Sequence, residues 1–145
     1  MNPPTVLPLA PDRSIAAIAG RLTAMLPGFD PTLVGLLADD VVLRASGVAD
    51  WAGVHRGKEA VVGYLLEIGE AFPDQEIAII DVLTSATRIA VLLQVTIRRD
   101  SAFVTDRSTW TFTVDSTGHI SDWELNDLDQ LAMDTFWAHF PRSGS

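Results

Sequence analysis

Four runs rich in β-branched and aromatic residues crowd the second half of the chain: Ile77–Leu83, Ile89–Arg98, Phe103–Val114 and Ile120–Asn126. Only the turn-forming segments TSAT, RRDSA and DSTGH separate them. A parallel crossover needs about a dozen residues or more, so connections this short leave antiparallel hairpins as the solution. This meander limits the possible folds more than any other feature of the sequence.

The first half supplies helices. Pro11 and Asp12 begin a run in which Ile15, Ile18, Leu22 and Met25 recur at helical spacing, and PGFDP ends it. Asp30 and Pro31 cap and open a short second helix to about Leu37. DDVVLRAS is a strand, GVADWAGVHRG a loop, and KEAVVGYLLEIGEAF a third helix from Lys58 to Phe72. DLDQLAMDTFWAHF closes the chain as a helix anchored by Leu131, Phe136, Trp137 and Phe140. Helices, a strand, a helix and a meander make one α+β domain over residues 1–145, with residues 1–11 as an extended, proline-rich arm.

Composition narrows the function. Hydrophobic residues are 48% of the chain and charged ones 20%, an apolar surplus that suits a lined cavity or a subunit interface. A homodimer is expected, packed through a threonine-rich outward sheet face. The net charge of -9 makes nucleic acid and anionic lipid poor partners. No apolar run approaches the roughly 20 residues of a membrane span, and MNPPTVLPLAPDR lacks the basic start of a signal peptide, so a soluble, cytoplasmic location is expected. The absence of cysteine removes disulfides, thiolate nucleophiles and thiolate zinc sites. There is no G-x-S-x-G, P-loop, G-x-G-x-x-G or H-x-x-x-H pattern, and no cofactor or metal is called for.

Candidate site residues follow from strand alternation. Trp123, Leu125 and Asp127 share one face of the last strand, with Asp122, Glu124 and Asn126 opposite. If the first set faces a pocket, Asp127 is a carboxyl in its wall, where burial raises the pKa and suits proton exchange. The alternative is that Asp127 caps the closing helix. On the preceding strand, Asp106, Ser108 and Trp110 share a face and are candidate lining residues. His55 is a candidate proton-transfer or oxyanion-stabilising group, and Tyr64 either points its hydroxyl inward or packs helix to sheet.

The element order, together with FDPTLVGLLADDVVLRA, HRGKEAVVGYLLEIGEAFPD, TRIAVLLQVTI and GHISDWELNDLDQL, resembles the SnoaL-like polyketide cyclases of the nuclear transport factor 2-like superfamily over about residues 12 to 140. The resemblance implies a curved antiparallel sheet wrapped around helices into a cone, an apolar pocket at its open end, and a homodimer. It also separates the branches of the superfamily. The two aspartates of ketosteroid isomerase-like members pair with Ala45 and Trp110, and the polar triad of limonene epoxide hydrolase-like members pairs with Gln94, Thr96 and Leu125. The acid/base aspartate of SnoaL-like cyclases, four residues after a tryptophan, matches Asp127 after Trp123.

Two functions stand against each other. One is a cofactor-independent cyclase closing a carbocyclic ring on a polyketide-type intermediate, by aldol chemistry through Asp127 or by pericyclic closure against a sparsely charged wall of Gln94, Thr96, Trp110 and Trp123. The other is a non-catalytic carrier of small apolar molecules, or a dimeric scaffold.

Overall fold

The computed structural model describes residues 12–142; the expected N-terminal arm and Pro11 lie outside them. Helix α1 (Ile15–Met25) starts at Ser14, whose side chain accepts the Ala17 N–H, while Asp12 braces the Ser14 N–H. Two short 3-10 turns follow, Leu26–Gly28 and Pro31–Leu36, the second capped by Asp30 through the Thr32 N–H. Strand β1 (Leu37–Ala45) then leads to β2 (Gly53–Arg56) and to helix α2 (Lys58–Ala71). The segment expected as a loop thus contains a four-residue strand. Exposed on most of its length and paired only to β1, β2 has no buried alternation to mark it.

The meander is β3 (Asp74–Thr84), β4 (Arg88–Arg99), β5 (Ala102–Val114) and β6 (Ile120–Asp127), followed by helix α3 (Gln130–Ala138). All six strands join one curved, unclosed sheet in the order β2-β1-β6-β5-β4-β3. Every neighbouring pair is antiparallel except β1 and β6, which run parallel. That pair joins strands far apart in the chain, the long connection a parallel contact requires.

The helices cover the inner face, α1 against β3 and β4, α2 against β1, and α3 against β5. Alternate residues of β4, from Ile89 through Val91, Leu93 and Val95 to Ile97, are buried beneath them. Facing them are Ile18 and Leu22 of α1, Val61 and Tyr64 of α2, and Met133 and Phe136 of α3. In α3 the buried stripe is set by Met133 and Phe136, and Leu131 points outward at 78% exposure, so it is no anchor. Among the described residues, no helix is long and apolar enough to cross a membrane.

Candidate functional site

Register puts the site together. A bulge at Ser121 lies upstream of the segment, so Asp122 to Asp127 keep strict alternation against β5. Phe112 is paired with Trp123, Trp110 with Leu125, and Ser108 with Asp127. Directly opposed side chains on one face of an antiparallel pair stand close enough to touch. The Ser108 hydroxyl accordingly donates to Asp127 Oδ1 at 2.5 Å.

Ser108, Trp110, Leu125 and Asp127 line one wall of an inner chamber of about 80 Å³. Its other walls come from Phe29, Trp51, Tyr64, Ile68, Met133 and Trp137. Asp127 is the one carboxylate among the lining residues. Burial pushes its pKa above the ordinary aspartate value, helped by the negative charges of Asp106 and Asp134, while the Ser108 hydrogen bond pulls the other way.

Asp127 is not the cap of α3. That role belongs to Asp129, whose carboxylate accepts the Ala132 N–H at 3.0 Å. Asp106 is buried but turned to the backbone, where its two oxygens accept the N–H groups of Arg107 and Asp129, both at 2.8 Å. It steadies the approach to α3 and does not line the chamber. The Tyr64 ring does line it, yet its hydroxyl donates to the Trp51 carbonyl at 2.7 Å, and burial drives its pKa well up.

Other expected residues lie elsewhere. Gln94 and Thr96 belong to the outward set of β4; Gln94 is exposed, and Thr96 pairs its hydroxyl with that of Thr105 at 3.0 Å. Trp123 is fully buried behind the chamber, against Phe112 and Trp110 at ring separations of 5.0 and 5.8 Å, and its indole N–H has no hydrogen-bond partner. His55 sits on β2 behind Tyr64, stacked on that ring at 4.1 Å. Burial and then the Arg142 charge lower its pKa, with Glu67 opposing, so the imidazole is neutral at neutral pH. His55 does not meet Asp127 in the chamber. Residues not anticipated as lining include Phe29, Ser46, Gln75 and Met133. The helical period of α3 marks Met133 as inward, but nothing local marks the other three. Among the described residues, no cluster of three or more histidines and carboxylates is placed to hold a metal ion.

This curved sheet with a helix-lined chamber is the nuclear transport factor 2-like fold. The chain matches the SnoaL-like domain over residues 13–123 and belongs to that family. A search of curated proteins finds no match to the sequence. Among solved structures, Bal32a from a soil-derived mobile gene cassette superposes with a TM-score of 0.77 at 23% identity, over 84% of this chain and 95% of that one. Rv0760c of Mycobacterium tuberculosis, solved with estradiol-17β-hemisuccinate, gives 0.65 at 24% identity, over 81% and 97%. A protein of Jannaschia sp. CCS1, provisionally described as a SnoaL-like polyketide cyclase, gives 0.68 at 15% identity, over 85% and 93%.

Proposed function

We propose that the protein is a cofactor-independent cyclase acting on a small apolar polyketide-type intermediate, with Asp127 as its acid/base group. The observation that carries this reading is a single half-buried carboxyl, with a raised pKa and one hydroxyl partner, in a largely apolar chamber. A carboxyl of that kind exchanges protons nearer neutral pH than an exposed aspartate does.

In the aldol version, ionised Asp127 removes a proton from the carbon beside a substrate carbonyl. The enolate carbon attacks a second carbonyl of the same molecule, forming the new carbon–carbon bond, and the proton held by Asp127 is delivered to the resulting alkoxide. The Ser108 hydroxyl keeps Asp127 Oδ1 in place through both transfers. Tyr64, Trp110 and Leu125 confine the chain in a bent conformation, which supplies proximity.

Carriage without turnover rests on a different observation: no second acid or base accompanies Asp127 among the chamber's lining residues. Incubation with linear polyketide-type diketones separates the readings. A cyclase gives a product of equal mass, or one lighter by water, with altered chromatographic mobility; a carrier returns the diketone unchanged. Activity that survives Asp127→Asn but not Trp110→Ala points to pericyclic closure.

The working form we propose is a homodimer through the outer sheet face. Exposed Ile80 and Leu128 border a shallow depression there of about 320 Å³, beside Leu92 and Thr109. Sedimentation at micromolar concentration should give twice the 15.7 kDa chain mass; a single-chain species alone overturns the dimer.

A further inference from the structure

The inner chamber is too small to be the whole of a ligand site. Pockets that take drug-sized molecules run from about 300 to 1,000 Å³, and 80 Å³ holds a few waters or the end of something larger. A second cavity of about 460 Å³ lies next to it, between the 3-10 turns and α2. Phe29, Leu65, Ile68 and Gln75 line both, so the partition is one layer of side chains thick.

The outer groove has its own character. Leu33 and Val34 form one side and Val62, Leu65, Leu66 and Gly69 the other, the latter four being one stripe of α2 at helical spacing. Leu66 is 63% exposed, a large apolar side chain on the rim. Gly69 sits within the helix, where glycine is unfavourable, and a Cβ added there would meet nothing within 4 Å. The space beside it is open groove. Asp30 and Glu70 are the only charged lining residues, and Asp30 is already engaged by the N–H and hydroxyl of Thr32. No cation among the lining residues is available to receive an anion.

Phe29 stands at the junction in an unusual conformation. Its backbone is left-handed (φ 47°, ψ 56°), a region that bulky residues rarely occupy. Hydrogen bonds from the Phe29 N–H to the Leu26 carbonyl and from the Asp30 N–H to the Met25 carbonyl hold the turn. The ring is placed 6.0 Å from that of Trp110 in the chamber wall. Strained backbone of this kind tends to persist where it positions a group for use.

We infer that chamber and groove form one bipartite site for an elongated, uncharged molecule, its carbonyl end beside Asp127 and its apolar body along Leu33, Val62 and Leu66, with Phe29 setting the passage between them. This rests on the reading of the Asp127 chamber as the ligand's inner end, and it adds the substrate class: long, neutral and apolar beyond the reacting end.

Binding of linear methyl ketones from butanone to dodecanone, followed by NMR chemical shifts, tests the inference without any turnover. Affinity should rise with chain length, by up to about 4-fold per buried methylene, and dodecanoate should bind at least about 10-fold more weakly than dodecanone because the groove's only charged lining residues are the carboxylates Asp30 and Glu70. Gly69→Leu should flatten the length dependence while leaving butanone binding and the melting temperature unharmed. Leu66→Glu, at an exposed position, should weaken dodecanone selectively and serves if the first variant misfolds. Affinity independent of chain length, length dependence unchanged in the variants, or dodecanoate binding as tightly as dodecanone each overturns the bipartite site. Those results leave the Asp127 chemistry standing, since that is judged separately by the turnover of Asp127→Asn.

Discussion

Asp122 and Asp127 are carboxylates on the same strand, five residues apart, and the structure treats them in opposite ways. Asp122 lies on the outward face and is paired with the guanidinium of Arg44, whose own pKa it raises. Asp127 lies on the inward face with a neutral hydroxyl as its side-chain partner, and burial lifts its pKa. The outward group is compensated by a cation and the inward one is left to bear its desolvation. Half-buried and without a counter-ion, Asp127 costs stability, and carboxyls perturbed in this way cluster at functional sites.

The two carboxylates should part most sharply under substitution by asparagine. In Asp127→Asn turnover should fall by about 100-fold or more, while Asp122→Asn leaves it unchanged, as measured on whichever diketone is cyclised. Next in size is the effect of Ser108→Ala. Losing the hydrogen bond that favours the ionised carboxylate raises the Asp127 pKa further, so the rising limb of the pH–rate profile moves to higher pH.

A stability effect follows from the same contrast. Because the folded-state pKa of Asp127 is raised, its contribution is most favourable at low pH and is lost as the pH climbs through that folded value. Asp127→Asn should therefore melt higher than the parent at neutral pH, and the advantage should vanish in acid. The smallest expected change is for Asp122→Asn, a slight drop in melting temperature, since its ion pair with Arg44 is partly exposed and screened by water. A large loss there, or a Tm gain for it equal to that of Asp127→Asn, would erase the distinction between the faces.

How far the sequence alone led depends on what kind of signal each feature carries. The meander and α2 were legible because hairpin spacing and helical period are local, and the alternation of β5 and β6 correctly put Ser108, Trp110, Leu125 and Asp127 on one face. Gln94 and Thr96 went astray because they were placed by correspondence with relatives. The alternation of β4 itself buries Val91, Leu93 and Val95 and turns Gln94 outward. The β1–β6 pairing, the strand at Gly53–Arg56 and the arrival of Phe29 at the chamber depend on contacts between distant segments, which no short window records. The orphaned Nε2 of His55 and its stack on Tyr64 are of the same kind.

The claim that the inward carboxyl is poised for proton transfer has a direct measure. Carbon-13 titration of the aspartate side chains, with Asp127→Asn to assign the resonance, reads its ionisation without any substrate. The midpoint should lie above the ordinary aspartate value of 3.8 and move higher still in Ser108→Ala. A midpoint at or below that value, unmoved by the loss of Ser108, would contradict the claim.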